Sequence, residues 1–247
     1  MFIRAISLTL CCLICSLPCA AQDGAIQWYK DLRQATSAAR QTNKPMMIEF
    51  WADWCTPCKV IETEIYTDPR VASGLIQKMV SVRIHFDLQK ELVRQYNVEA
   101  IQNIVFTDSW GTELVRHRGI IEADDLAAVI DALPSNVSEF NRIDSILHED
   151  KNNFAALQAM ASRLRDAGFY QSSNEFFRKA ANRNEAKKDA AARESILLGM
   201  GLNFLDLHDG KQAIQVFERC LKEFPKSQNR QRFLQELERA RQLLTEL

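Results

Sequence analysis

Residues 46–59 read MMIEFWADWCTPCK, an apolar run followed closely by two cysteines three positions apart. The run has the composition of a buried strand, and Pro57 suits the first turn of a following helix, where its missing N–H costs little. Free N–H groups and the positive end of the dipole at a helix start favour an anion, which predicts Cys55 as the nucleophilic thiolate. Cys58, about one turn further, is placed to attack a mixed disulfide formed at Cys55.

A structural disulfide and half of a zinc site are the alternatives for this pair. A metal needs further ligands, and after residue 21 the chain has no second Cys-x-x-Cys and no close pair of histidines. We interpret the four scattered histidines as structural or surface groups. We therefore expect no metal and no cofactor beyond the redox-active Cys55–Cys58 pair, with a metal shared between two chains left as a minor alternative.

The first residues indicate where this chemistry takes place. Residues 1–21 carry Arg4, an apolar stretch over 5–17 and a small-residue end at Ala20 and Ala21, the pattern of a cleavable secretory signal. A lipoprotein anchor at Cys19 is the alternative, although Ser16 stands where an aliphatic residue is usual. No later segment is long and apolar enough to span a membrane. We expect a protein outside the cytoplasm, in the bacterial periplasm, with no membrane span after cleavage.

Cysteine usage and composition narrow the function classes. Of seven cysteines, four lie in the predicted signal, which leaves Cys55, Cys58 and Cys220. A disulfide-stapled scaffold would have more pairs, so one pair indicates catalysis, and we expect Cys220 in a core. The chain is 47% hydrophobic and 26% charged with a formal net charge of −1. This balance fits a soluble globular protein and gives no indication of nucleic-acid binding.

Residues 45–133 resemble the thioredoxin family, most closely its extracytoplasmic thiol:disulfide interchange members. The active-site pattern is matched by Glu49, Phe50, Trp51, Ala52, Asp53, Trp54, Cys55, Pro57, Cys58 and Lys59. The resemblance implies an α/β thioredoxin fold, with a mixed central sheet and helices on both faces. It also implies a thiol-disulfide oxidoreductase in which Cys55 attacks, Cys58 resolves and Glu49, buried beneath Cys58, relays a proton. Protein disulfides would be the substrates, and a reductase would need a membrane electron donor as partner. For Glu49 an outward-facing position on the strand is the alternative.

One departure from the family concerns the loop that faces the cysteines. The family has a cis-proline there, whereas this chain has Gln102 and no proline between Pro69 and Pro134. A cis bond before a non-proline residue costs about 2.5–4 kcal/mol, so we expect the Ile101–Gln102 bond to be trans. The predicted substrate contacts are Trp54, Thr56, Pro57, Ile101 and Gln102. Two hypotheses stay open: an enzyme with an altered substrate grip, or a non-catalytic thioredoxin-fold adaptor that binds partners through its helical half.

The chain divides into a signal at 1–21, a thioredoxin-like domain at 22–134 and a helical domain at 135–247. In the middle part, apolar periodicity and turn residues predict helices and strands in an alternating order. Helices are predicted over 25–43, 68–78, 88–96 and 122–133, and a further helix begins at Cys55. Strands are predicted over 46–51, 79–86, 104–107 and 113–117.

Residues 138–247 contain one proline, no strand-like run and apolar residues at helical spacing. A period of 40 residues aligns two units, which resemble tetratricopeptide repeats with extra residues around 184–191. The departures are His208 in place of a glycine and Gly210 in place of an aromatic. With end helices at 137–148 and 228–244, about six helices are expected. This half would recruit a protein partner, pack on the redox domain, or form a plain bundle.

Overall fold

The computed structural model describes residues 25–245, so the predicted signal and Cys19 lie outside the described residues. A five-stranded sheet occupies the first half, in the order β1-β3-β2-β4-β5. β2 runs parallel to β3 and antiparallel to β4, and β1 and β5 form the two edges. The strands are β1 Trp28–Tyr29, β2 Met46–Trp51, β3 Val80–His85, β4 Asn103–Thr107 and β5 Glu113–Arg118.

Helices cover both faces of this sheet, as the thioredoxin fold requires. They are α1 Leu32–Thr42, α2 Thr56–Val60 with a π-helical turn Ile61–Ile65, α3 Pro69–Lys78, α4 Lys90–Gln95 and α5 Ala123–Ala132. Successive residues of β2 point to opposite faces. Met47 belongs to the same hydrophobic cluster as Leu75 and Ile130, whereas Ile48 belongs to a second cluster with Ala35 and Val93. The expected mixed sheet between two helical layers is confirmed.

The prediction of one helix over 25–43 is partly wrong. Trp28 and Tyr29 form β1, which pairs in parallel with Ser81 and Val82 of β3. The helix α1 begins only after Asp31, whose carboxylate accepts a hydrogen bond from the Gln34 N–H at 3.0 Å. A two-residue edge strand is stabilised by pairing with its neighbour, so its own sequence is too short to show the alternating pattern of a strand.

The second half is all-helical over the described residues 135–245. Its helices are α6 Ser138–Glu149, α7 Phe154–Asp166, α8 Tyr170–Ala181, α9 Asn184–Lys188, α10 Ala190–Asp206, α11 Gly210–Glu223 and α12 Arg230–Thr245. The short α9 lies where the extra residues were predicted, and it brings the number of described helices in this half to seven rather than about six.

Two phenylalanines of the helical half pack on glycines of α10. A Cβ atom on Gly199 would lie 2.6 Å from the Phe177 ring, and one on Gly201 would lie 2.7 Å from the Phe217 ring. These two phenylalanines are 40 residues apart, and each glycine allows a close approach of the ring, from α8 and from α11, to α10. The turns before them also match, because Gly168 and His208 both have positive φ, at 82° and 56°.

The helical half packs on the redox domain. The Ser172 hydroxyl on α8 donates to the Leu114 carbonyl of β5 at 2.6 Å, and the Val137 N–H donates to the Asn43 carbonyl at 2.8 Å. Apolar side chains continue from Ile130 on α5 into the α6–α8 region in one hydrophobic cluster. The helical half therefore buries part of its apolar surface against the sheet domain.

Candidate active site at the Cys55–Cys58 pair

The two cysteines form a disulfide at the start of α2, directly after β2. Cys55 is the N-cap residue, and its sulfur accepts a hydrogen bond from the Cys58 N–H at 3.2 Å. Cys55 and Cys58 are only 3% and 4% exposed, so little of either side chain reaches the surface. The N–H that contacts the sulfur is available to an anionic sulfur after reduction, when the interaction strengthens.

The predicted contact residues of the active-site loop are exposed around the disulfide. Thr56 and Pro57 lie exposed in the first turn of α2. The Trp54 side chain is 63% exposed, and its indole N–H donates to an Asp87 oxygen at 2.7 Å. This hydrogen bond, together with Lys90, lowers the pKa of Asp87. Trp54 is thus tied to the loop after β3 while one side of it remains open to solvent.

His85 also lies at this site, although the sequence interpretation treated it as a structural or surface group. Its ring packs edge-on against Trp51, with 5.1 Å between centroids. Its Nδ1 accepts from the Asp87 N–H at 3.2 Å, which places the proton on Nε2, 3.1 Å from an Asp53 oxygen. The missed signal is its position at the end of β3, opposite Trp51 of β2.

The expectation of a trans bond before Gln102 is wrong, because the Ile101–Gln102 peptide bond is cis. Tertiary contacts determine the geometry of this loop rather than the preference of an isolated peptide. The Gln102 carbonyl accepts from the Gly119 N–H at 3.0 Å, and the half-buried Ile101 packs with Cys55 and Cys58. Gln102 is 6% exposed, and neither polar atom of its side chain has a hydrogen-bond partner among residues 25–245.

Glu49 lies buried in β2, at 3% exposure, and not outward. An Arg83 guanidinium nitrogen, Nε, donates to its carboxylate at 2.8 Å from the adjacent strand β3. Burial raises the pKa of Glu49, and Arg83 opposes this rise. A cavity of about 180 Å³ is lined by both Glu49 and Cys58. The structure thus places the carboxylate beside the second cysteine, while its role in proton transfer stays a prediction.

Cys220 lies apart from the Cys55–Cys58 pair. Cys220 is fully buried on α11, as expected, and burial raises the pKa of its thiol to about 12. Within residues 25–245, no group of three or more His, Cys, Asp or Glu side chains could hold a metal ion. The helices of the described part also include none long and apolar enough to cross a membrane.

Comparisons with known proteins agree with this geometry. Residues 27–107 match the family model described as thioredoxin-like. Residues 27–107 form a thioredoxin-like domain. Two curated relatives are thiol:disulfide interchange proteins. DsbD of Photorhabdus laumondii is 32% identical over 111 residues, which are 43% of this chain and 19% of the relative. DsbD 1 of Pseudomonas aeruginosa is 35% identical over 99 residues, which are 38% of this chain and 16% of the relative.

The chain therefore spans less than a fifth of the length of these relatives. Among solved structures, a thioredoxin from Thermus thermophilus is 22% identical with a TM-score of 0.40, covering 43% of this chain and 85% of that chain. A thioredoxin mutant from Halobacterium salinarum is 20% identical with a TM-score of 0.36, covering 43% and 92%. The fold assignment rests on the strand order and on the family model.

Proposed function

We propose that this protein is an extracytoplasmic thiol:disulfide oxidoreductase that reduces or exchanges disulfides of protein substrates. The observation that carries the proposal is the Cys55–Cys58 disulfide at the start of α2, with a backbone N–H directed at the Cys55 sulfur. The similarity of the domain to proteins named as thiol:disulfide interchange proteins supports the same reaction class.

The proposed reaction transfers two electrons from the reduced pair to a substrate disulfide. The Cys55 thiolate attacks one substrate sulfur, which breaks the substrate disulfide and releases one substrate thiolate. Cys58 then loses its proton to Glu49 and attacks the Cys55 sulfur of the mixed disulfide. The Cys55–Cys58 bond forms, the bond to substrate breaks, and the second substrate thiolate leaves and takes up a proton. The substrate is reduced and the pair is oxidised.

Turnover as a reductase needs a dithiol donor that reduces the pair again. A thioredoxin-like reduction potential lies about 150 mV below that of the strongest periplasmic oxidants, a difference of roughly 7 kcal/mol. Without a donor, a pair with such a potential would stay oxidised in an oxidising compartment. A membrane-bound dithiol donor is therefore part of the proposal, as is a secretory signal at 1–21. The direction of electron flow depends on this donor.

We assign partner recruitment to the helical half. The successive antiparallel helices α7 to α12, in which α8 and α11 each place a phenylalanine on α10, support a repeat-like array, and such arrays present extended binding surfaces. Because one side of this array packs on β5, the partner would bind a surface that is joined to the edge of the redox domain.

The test is reduction of insulin disulfides with dithiothreitol as the electron source. Cys55→Ala should abolish turnover, and Cys58→Ala should accumulate mixed disulfides that are visible on non-reducing gels. Cys220→Ala is the matched control, because it removes the third cysteine of the described part without touching the pair. Normal turnover of the Cys55→Ala protein would refute the proposed enzyme.

The second candidate is a non-catalytic adaptor, which the buried, unpartnered amide of Gln102 beside the dithiol favours. An adaptor would show negligible insulin turnover in the parent protein and would keep its partners when both cysteines are replaced by alanine. Gln102→Pro distinguishes the two further. If this loop limits substrate grip, the proline variant should turn over substrate faster than the parent.

A further inference from the structure

A cleft of about 620 Å³ lies between the redox domain and the helical half. Residues 95–97 and 110–113 line it from the redox domain, and residues of α6, α7, α8 and the turn between α6 and α7 line it from the helical half. Its volume falls in the range of cavities that hold ligands in other proteins. Neither Cys55 nor Cys58 lines this cleft, so it is separate from the dithiol site.

Part of the cleft wall is aromatic and apolar. Trp110 contributes to it from the β4–β5 turn. The guanidinium carbon of Arg40 lies 3.6 Å from the Trp110 ring centroid, and the His148 ring centroid lies 5.2 Å from it. Phe176 of α8 and Leu147 of α6 are buried residues that line the same space. These groups offer an apolar surface against which a ligand side chain can pack.

Three cationic side chains line the cleft from the helical half. They are Lys151 in the turn after α6, Lys179 in the last turn of α8 and Arg183 directly before α9. In the part of the chain that the structure describes, none of the three forms an ion pair with a carboxylate. Arg183 donates from Nη1 to Asn152, whereas its buried Nε has no partner among residues 25–245. A guanidinium with unused donors favours an anion beside it.

The carboxylates of the cleft offset this positive charge only in part. Glu113 is held on both oxygens by Arg116, with a distance of 2.9 Å from Nε. Burial raises the pKa of Asp144, and the nearby His148 lowers it. The remaining carboxylate, Glu175, is exposed on α8. Three cations and a histidine therefore line the cleft with two carboxylates that have no ion-pair partner, and the excess charge is positive.

We propose that this cleft binds an extended acidic segment of a partner protein. Carboxylates of the segment pair with Lys151, Lys179 and Arg183, and an apolar side chain packs on Trp110 and Phe176. Because both lysines are exposed, the cleft is open to solvent, whereas sites for small molecules enclose most of the ligand surface. The inference deepens the partner recruitment assigned to the helical half, and it rests on that part of the proposed function.

The experiment measures fluorescence anisotropy of a fluorescein-labelled peptide of alternating glutamate and leucine. The oxidised full chain is used, so that no thiol exchange contributes to the signal. The acidic peptide should bind the parent protein, and added salt should weaken the binding because it screens exposed charges. The same peptide with glutamine in place of glutamate should bind at least about tenfold more weakly.

Substitutions locate the binding in the cleft. Lys151→Glu and Lys179→Glu should each weaken binding of the acidic peptide by about tenfold, because an attractive charge becomes a repulsive one. Arg183→Met keeps the length of the side chain and removes its donors, so it should weaken binding by about the same factor. Lys211→Glu is the matched control, since Lys211 is exposed on α11 and does not line the cleft. It should change binding by less than about twofold.

Each other outcome has a defined meaning. Equal binding of the glutamine peptide, or a loss for Lys211→Glu as large as that for Lys179→Glu, overturns the cleft as the site. Displacement of the labelled peptide by citrate as effectively as by unlabelled peptide shows a small-anion site and overturns the peptide as occupant.

Insulin reduction separates this proposal from the proposed oxidoreductase. Lys179→Glu should retain the turnover of the parent, because Lys179 lies outside the dithiol site. A parent protein without turnover refutes the oxidoreductase and leaves the peptide measurement valid. Normal turnover without binding of the acidic peptide refutes the cleft proposal alone.

Discussion

Asp108 offers a test of how closely the helical half packs on the redox domain. It is fully buried in the turn after β4, and its Oδ1 accepts hydrogen bonds from the Trp110 and Thr112 N–H groups, both at 2.9 Å. Its Oδ2 accepts no hydrogen bond from any described residue. Burial, with the Asp144 carboxylate of α6 nearby, raises the pKa of Asp108 to about 7. The substitution Asp108→Asn keeps the shape of the side chain and its Oδ1 acceptor but removes the charge.

The direction in which stability depends on pH follows from the raised pKa of Asp108. Since the folded state holds its proton more tightly than the unfolded state, the contribution to stability is full at low pH and is lost as pH rises through about 7. A pKa raised from 3.8 to about 7 corresponds to about 4 kcal/mol of destabilisation of the folded state at pH 8, as an upper bound. Asparagine carries no charge, but burying its unpaired NH₂ costs about 1–3 kcal/mol. The net expectation is stabilisation by about 2 kcal/mol at pH 8.

The assay is urea unfolding followed by tryptophan fluorescence and circular dichroism at about pH 5 and about pH 8. The free energy of unfolding of the Asp108→Asn variant should exceed that of the parent most at pH 8 and only slightly at pH 5. Asp131→Asn on α5 is the control, because that side chain is 77% exposed and its removal should produce no comparable pH-dependent gain. A variant that is less stable than the parent at pH 8 would refute the reasoning.

Three further substitutions test the packing of the helical half. His208→Gly should raise the free energy of unfolding by about 0.5–1 kcal/mol, because φ is 56° there; an unchanged urea midpoint would contradict this. Phe217→Ala should lower it by about 3–5 kcal/mol, since the fully buried ring packs on Gly201; a loss below about 1 kcal/mol would show that this packing is loose. Ser172→Ala should lower the free energy of unfolding by about 1 kcal/mol, because it removes the hydrogen bond to the Leu114 carbonyl. The amide hydrogens of α8 should then exchange faster with solvent.

Elements with strong local signals were predictable from the sequence. The strand 46–51 was correct at both ends, because a continuous apolar run ends at the active-site motif. The helix at 68–78 was correct within one residue, since Asp68 caps it and Pro69 opens it. The site pair Cys55 and Cys58 followed from the motif itself. These features depend on residues close together in the chain.

Features that depend on distant partners were not predictable. β1 exists because two residues pair with β3, and the cis bond at Ile101–Gln102 lies in a loop anchored by Gly119. The ion pair between Glu49 and Arg83 and the place of His85 beside Trp51 likewise join separate strands. Periodicity and motif spacing carry no information about which strands become neighbours.

The central claim is that Cys55 becomes a reactive anion once the disulfide is reduced. The test is brief alkylation of the reduced protein with iodoacetamide at about pH 7, followed by mass spectrometry to locate the label. At this pH an ordinary thiol, with a pKa of about 8.5, is mostly protonated and reacts slowly. The account predicts rapid labelling of Cys55, slow labelling of Cys58 and none of the buried Cys220. The account would be contradicted if Cys55 stays unmodified in the folded protein although the same treatment labels Cys55 in the denatured protein.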